Sequence, residues 1–146
     1  MIQHYHHTQI GYLTIIALAI ILLFSALLMA VAGIHWIAIV VLAILAICLV
    51  LFATLTVVIL EDVLEIRFGA GVIRKKFPLK DIEYCQVVKN PWYYGWGIRL
   101  TPHGWLYNVS GFYAVEIKMK DGKKYRIGTD VPNELEKVIR ETIGRT

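Results

Sequence analysis

Charged residues are missing from the first part of the chain. Residues 1–60 contain no Lys, Arg, Asp or Glu, so all fifteen basic and all eleven acidic side chains lie from Glu61 onward. A stretch without charge cannot supply the polar surface of a water-soluble domain. The beginning of the chain also lacks the basic residues of a secretory signal peptide, so a membrane-embedded segment is the better interpretation.

Cysteine is scarce, and no tract is rich in Pro or Ser. The chain has only Cys48, which falls in an apolar run, and Cys85, which falls in a strand-like segment. That placement shows no disulfide framework and is compatible with a reducing compartment. The absence of low-complexity tracts excludes a long flexible linker between separate domains.

Two long apolar runs fill the uncharged part. The first extends from Ile10 to Ala32 and the second begins at Ile34. Each reaches the ~20 apolar residues that one membrane-spanning helix needs. The second run ends in "TLTVVIL" (54–60), whose β-branched residues favour a strand. We therefore predict spans at about 10–32 and 35–53.

The predicted units are an N-terminal tail with a two-helix transmembrane hairpin (1–53) and a cytoplasmic domain (54–146).

The distribution of basic residues predicts the orientation in the membrane. The tail and the turn between the spans carry no Lys or Arg, whereas four basic side chains follow the second span closely: Arg67, Arg74, Lys75 and Lys76. Cytoplasmic segments next to a span carry the excess of Lys and Arg. We therefore expect an integral protein of the cytoplasmic (inner) membrane with both termini in the cytoplasm.

The charged part of the chain has the pattern of strands followed by one helix. Alternating apolar residues predict the strands 54–60, 63–69, 71–77, 82–89, 96–101 and 105–109, and a hairpin over 114–127. Gly69-Ala70 suits a two-residue turn that would place Ile66 opposite Ile73. A helix should begin after Asp130 and end at Gly144, with an apolar stripe on one face. This order indicates the α+β class.

The hairpin over 114–127 defines a basic surface. A three-residue loop ending at a left-handed Gly122 would place Ile117 opposite Tyr125, so that apolar residues share one face. The opposite face then carries the candidate lipid-facing residues Lys118, Lys120, Lys124 and Arg126. Basic residues near an anionic bilayer surface each contribute ~1 kcal/mol of binding. The alternative is an ordinary solvated face.

The stretch "PWYYGWGIRLTPHGWLYNVSG" (91–111) is dense in aromatic residues and glycine. With a three-residue loop at 102–104, Arg99 would lie between Trp105 and Tyr107 on the outer face and make a cation–π contact. These three residues are the candidate patch for a ligand or partner, which could hold an anion or a peptide carboxylate. The alternative is structural, with rings that shield glycines and hold the arginine.

The segments "GWGIR", "GWLYNVSG" and "DGKKYRIGTD" with the Pro that follows resemble the pleckstrin-homology-like (PH-like) domain of small bacterial membrane proteins, which carry it after a transmembrane hairpin. The resemblance covers roughly 54–146. It implies an antiparallel β-sandwich or barrel of about seven strands capped by one C-terminal helix. It also implies membrane association without an established enzymatic activity, and it supplies no site residues.

The predicted function is binding or scaffolding at the cytoplasmic face of the membrane, with a protein partner or an anionic lipid surface. One alternative is a subunit of an oligomeric membrane assembly, with small-residue contacts at Ala26, Ala30 and Gly33. Another is a metal-dependent or hydrolytic enzyme, although no catalytic cluster is visible in the sequence. His4, His6 and His7 favour the headgroup level over a metal site. We expect no catalytic residue, metal or cofactor, and we do not expect nucleic acid as a partner.

Overall fold

The computed structural model describes residues 3–69, 71–109 and 111–145 of the chain. Two apolar helices, α1 (Tyr12–Ala32) and α2 (Trp36–Phe52), contact each other and coincide with the two expected spans. Neither contains a buried residue. By length and composition α1 is able to cross a membrane, whereas α2, with 17 residues, is shorter.

The first sheet contains four antiparallel strands in chain order. They are β1 (Gln3–Ile10), β2 (Thr54–Leu60), β3 (Val63–Phe68) and β4 (Ile73–Pro78). Strand β1 precedes the helices in the chain, yet it pairs with β2 over most of its length. The N-terminal segment from residue 3 is therefore part of the sheet, where the sequence predicted a tail apart from it.

The second sheet contains five strands in the order β5-β8-β9-β7-β6. They are β5 (Ile82–Lys89), β6 (Gly97–Thr101), β7 (Gly104–Asn108), β8 (Tyr113–Met119) and β9 (Lys124–Gly128). Strands β7 and β9 are parallel, and the other pairs are antiparallel. The β6–β7 hairpin thus extends a sheet whose centre is β8–β9.

The predicted α+β class is confirmed, but the predicted single barrel of about seven strands is wrong. The described residues form nine strands in two sheets, and no closed barrel results. Closure fails because β4 and β6 each end their sheet without a further strand partner. An open side between these two edges is the consequence.

The core lies between the two sheets and is closed on one side by α3 (Pro132–Arg145). Leu64 and Ile66 of the first sheet, and Ile117 of the second, are fully buried there. The predicted apolar stripe of the last helix is confirmed, because Leu135 and Ile139 are also fully buried in this core. Helix α3 packs mainly against β5 and β8. Gly144 lies inside the helix instead of ending it.

The two predicted hairpin registers had different outcomes. Ile117 lies opposite Tyr125 as predicted, and Gly122 has a φ of +90° in the loop that joins β8 to β9. In the β3–β4 hairpin, Phe68 instead of Ile66 lies opposite Ile73. The connection there is longer than the two-residue turn that was expected, so the pairing is displaced along β4.

The helices join the sheets at one end of the strands. The amide of Gly11 donates to the carbonyl of Ala53 at 2.7 Å, so the exit from β1 and the entry to β2 are adjacent. The Thr14 hydroxyl donates to the carbonyl of Val109, and the rings of Phe52 and Phe68 lie 5.5 Å apart. We call this the helix-proximal end. The β8–β9 turn at 120–122 lies at the opposite, far end.

Candidate functional site

The predicted patch of Arg99, Trp105 and Tyr107 is not brought together. Arg99 lies opposite Leu106, while Trp105 and Tyr107 lie opposite Leu100 and Ile98. Side chains alternate between the two faces of a strand, so the arginine is on the opposite face of β6–β7 from the two rings. Among the described residues, Arg99 makes no cation–π contact. The predicted stack is therefore wrong.

Arg99 instead holds the loop that precedes its own strand. Its Nε donates to the carbonyl of Trp96 at 3.1 Å, and its guanidinium lies against Gly95, where a Cβ would be 3.2 Å from Nε. A shallow surface cavity of about 430 Å³ lies beside it, lined in part by Tyr93 and Tyr94. The arginine is therefore held by a backbone carbonyl of its own loop and not by the rings of Trp105 and Tyr107.

The predicted basic face of the β8–β9 hairpin is divided in the structure. Arg126 is buried, with a side chain that is only 8% exposed, and its Nε lies 3.3 Å from Glu116 Oε1. Its Nη1 donates to Asn90 Oδ1 at 2.8 Å. Arg126 therefore contacts protein groups and is excluded from a lipid-facing role.

The three lysines of that face lie toward the far end. Lys118 is opposite Lys124, and Lys120 is exposed at the turn. Lys118 Nζ lies 3.7 Å from Glu83 Oε2 and 5.8 Å from the ring centre of Tyr84. A bilayer around the apolar helices would lie at the other end of the strands, so this position does not support the predicted contact with lipid.

The histidines near the start of the chain lie in β1, where the sequence predicted a tail. His6 and His7 are opposite Val58 and Val57 of β2. His7 Nε2 bonds to the carboxylate of Asp130, which ties this edge strand to the start of α3. Among the described residues no group of three His, Cys, Asp or Glu side chains could hold a metal ion.

The open side between the two sheets forms the candidate site. This cationic aromatic cleft has a volume of about 500 Å³. Strand β4 supplies one wall, and β6, β7 and β9 with the loop before β9 supply the other. The lining residues are Ile73, Arg74, Lys75, Ile98, Trp105, Tyr107, Lys123 and Tyr125. The cleft exists because β4 and β6 are unpaired edges, so each sheet contributes side chains to a gap that no strand fills.

Aromatic rings form the inner surface of the cleft. The rings of Tyr107 and Tyr125 are stacked, with centroids 6.5 Å apart, and the ring of Phe77 lies 4.8 Å from that of Tyr125. Burial raises the pKa of the Tyr107 hydroxyl, and the neighbouring Tyr125 raises it further. Trp105 is 43% exposed at the opening. The surface can therefore accept an apolar or aromatic group.

One cation of the cleft, Lys75, lies over these rings. Lys75 Nζ is 5.9 Å from the ring centres of both Phe77 and Tyr125. Neither Lys75 nor Lys123 has a carboxylate partner within the described part of the chain. Arg74 is partly engaged, because its Nε donates to the Gly71 carbonyl at 2.7 Å and its Nη1 lies 3.9 Å from Glu65. The lysines are thus available to an anionic ligand.

Sequence reasoning found Trp105 and Tyr107 but missed their partners from other strands. The correct β8–β9 register had already placed Tyr125 on the same face as Ile117. The parallel pairing of Trp105 with Tyr125 has no local signal, because these residues are joined across two separate hairpins. In the sequence, Lys75 was assigned only to the basic group that it forms with Arg74 and Lys76, and not to a site with aromatic residues.

Comparison of the chain with protein-family models, curated proteins and solved structures found no match.

Proposed function

We propose that the protein is a membrane-anchored binding module whose cationic aromatic cleft holds an acidic, extended segment of a protein partner at the cytoplasmic face. One observation carries this proposal: Lys75 and Lys123, without carboxylate partners among the described residues, flank an aromatic surface in the gap between two sheet edges. Charged and aromatic groups in one concave site are typical of a ligand-binding surface.

The membrane anchor is the α1–α2 pair. Helix α1 has 21 residues and is therefore about 32 Å long at ~1.5 Å per residue, which matches the ~30 Å of a hydrocarbon core. The ends of the pair contact the sheets, through Thr14 and Phe52. Arg67 and Arg74 lie opposite each other near the helix-proximal end. Basic residues at that level support a cytoplasmic location of the sheets.

The edge position of β4 favours an extended peptide as the ligand. An unpaired edge strand offers backbone N–H and C=O groups, and a peptide that adds to the sheet satisfies them. The basic residues Arg74, Lys75 and Lys76 on β4 would attract acidic side chains. The same charges repel the β4 edge of a second copy, so pairing between copies is disfavoured.

We also propose that the part of the chain from about residue 54 to residue 146 is a PH-like domain. Two sheets around one core and a C-terminal helix that covers one side support it. A binding role is favoured over catalysis because the described residues that line the cleft include no carboxylate, cysteine, serine or histidine. Such a lining provides cations and aromatic rings, which are groups that recognise a ligand.

The test uses the full chain in lipid nanodiscs and a fluorescein-labelled peptide in which Glu alternates with Val. Fluorescence anisotropy measures its binding to the unchanged protein and to the double variant Lys75→Gln/Lys123→Gln. We expect the double variant to bind about tenfold more weakly, which corresponds to ~1.4 kcal/mol. The matched control, Lys118→Gln/Lys120→Gln, removes the same charge at the far end and should bind as the unchanged protein does.

Two results would overturn the proposed cleft. One is equal loss of binding in both double variants, which would assign the effect to net charge. The other is equal binding to a peptide with Lys in place of Glu, because the cations of the cleft should reject it.

A further inference from the structure

A cluster of exposed aromatic side chains lies outside the cleft, at the helix-proximal end of the second sheet. Trp92 is 76% exposed and Tyr113 is 50% exposed, and Phe112 lines a surface cavity of about 420 Å³ together with Trp92 and Lys89. Lys89 Nζ lies 5.8 Å from the ring centre of Tyr113. We call Lys89, Trp92, Phe112 and Tyr113 the aromatic rim.

The rim is held in place by backbone and ring contacts. The amide of Asn90 donates to the carbonyl of Phe112 at 2.6 Å, which joins the loop after β5 to the loop before β8. Trp96 Nε1 donates to the Gly111 carbonyl at 3.0 Å, and its ring lies 6.1 Å from that of Phe112. These contacts position the Phe112 ring and connect the two loops that carry Trp92 and Phe112.

The rim is close along the chain to a contact with the start of α1. Val109, whose carbonyl accepts the Thr14 hydroxyl, is three positions before Phe112, a separation of at most ~11 Å along the chain. Thr14 is in the first turn of α1. If α1 spans the hydrocarbon core, the headgroup region occupies the ~5–8 Å beyond that turn. Tyr113 begins β8 at the same end of the sheet.

We infer that the aromatic rim inserts into the headgroup region of the bilayer that holds α1 and α2. Trp and Tyr rings favour that region because they combine an apolar body with a polar tip, and a neighbouring lysine adds attraction to anionic lipid. The insertion gives the sheets a second contact with the bilayer besides the helices and so fixes their tilt. This inference rests on the membrane anchor of the proposed function but not on its cleft.

The experiment measures the depth of a nitroxide label in vesicles that contain the full chain. Both native cysteines are first replaced (Cys48→Ala, Cys85→Ala), and single cysteines are then introduced as Trp92→Cys, Phe112→Cys, Lys120→Cys and Ile21→Cys. Collision rates with oxygen, which concentrates in the bilayer, and with a water-soluble nickel chelate give the depth of each label. Ile21 is the reference within α1, and Lys120 is the reference at the far end.

We expect the oxygen-to-nickel collision ratio at positions 92 and 112 to exceed that at 120 several-fold and to remain below that at 21. Two labelled positions are used so that a local disturbance at one does not decide the outcome. A ratio at both rim positions equal to that at 120, with a high ratio at 21, would overturn the inference and leave the anchor intact. A low ratio at 21 would overturn the anchor and the inference together.

Discussion

Arg126 and Asn90 are joined by a hydrogen bond of 2.8 Å from Nη1 to Oδ1, although they lie 36 positions apart in the chain. Arg126 also contacts Glu116, the residue directly opposite it in the sheet. All three side chains are buried. The bond therefore holds the start of the aromatic loop, which contains Trp92, against β9 and β8. The sequence placed Arg126 on a lipid-facing surface, whereas its side chain connects buried protein groups.

Replacing Arg126 should be costly because it leaves Glu116 buried without its cationic partner. We expect Arg126→Met to lower the free energy of unfolding by ~3–5 kcal/mol, as is usual when one member of a buried ion pair is removed. The double variant Arg126→Met/Glu116→Leu should recover a large part of that loss. Chemical denaturation in detergent micelles measures both variants.

Lys124→Met is the matched control, because Lys124 is on the same strand and only half-buried. It forms no ion pair with any described residue, and its replacement should change the stability by less than ~1 kcal/mol. Equal losses in Lys124→Met and Arg126→Met would contradict the anchoring role of Arg126.

Glu65 should make the stability depend on pH in the acidic range. Arg67 Nε donates to its Oε1 at 2.6 Å, and this hydrogen bond, with the charges of Arg67, Lys76 and Arg74, lowers the pKa of the carboxyl despite its burial. A carboxyl with a lowered pKa in the folded state stabilises the fold above its unfolded pKa of ~4.3. That stabilisation is lost as the pH falls through the lower, folded value.

The measurement is the thermal midpoint between pH 7 and pH 3 for the unchanged chain, Glu65→Gln and Glu141→Gln. The Glu65 variant should be less stable at pH 7 and lose less on acidification. Glu141 is exposed on α3, and its variant should follow the unchanged chain. A Glu65 variant with the same pH profile as the unchanged chain would show that the ion pair with Arg67 does not act on stability.

The strands and the last helix could be predicted because each carries a local pattern. The Asp121-Gly122 turn and its alternating flanks set the β8–β9 register, and that register is confirmed. Strand β1 was missed because its core-facing positions include His7 and Gln9, which hide the apolar alternation of a strand. The pairing of β1 depends on β2, which follows in the chain only after both helices.

The β6–β7 register was wrong by a single residue, and that error moved Arg99 to the wrong face. The turn contains Pro102 and His103 alone, since Thr101 is paired with Gly104. The Thr101 hydroxyl donates to the Gly104 carbonyl at 2.7 Å and accepts from the His103 amide at 3.2 Å. A shift of one residue transfers every side chain of a strand to the other face. The cleft could not be predicted from the sequence for a different reason, because its lining residues come from two separate sheets.

Gly128 provides a test of the close contact between β7 and β9. A Cβ at Gly128 would lie 2.1 Å from Asn108 Oδ1, and the Asn108 side chain is buried and donates to the Gly111 carbonyl at 3.1 Å. We expect Gly128→Ala to displace Asn108 and to lower the free energy of unfolding by ~1–3 kcal/mol, the usual cost of overpacking.

The matched control is Gly144→Ala in α3, where a Cβ would meet no atom within 4 Å. Alanine is favoured over glycine inside a helix by roughly 0.5–1 kcal/mol, so this variant should be neutral or more stable. Denaturation of both variants under one condition gives the comparison. Similar effects of the two substitutions would mean that β7 and β9 are not packed as closely as described.

The last prediction concerns the orientation of the chain in the membrane. All fifteen Lys and Arg residues follow the second apolar helix, and Arg67 and Arg74 lie near the helix-proximal end. Cytoplasmic retention of these residues would place both ends of the chain in the cytoplasm and the connection at 33–35 outside. A reporter that is active only in the cytoplasm, fused after residue 146, should therefore be active, and the same reporter inserted after Gly33 should be silent. A second reporter that is active only outside should give the reverse pattern. An active outside reporter after residue 146 would place the cleft outside the cell and remove the cytoplasmic partner from the proposed function.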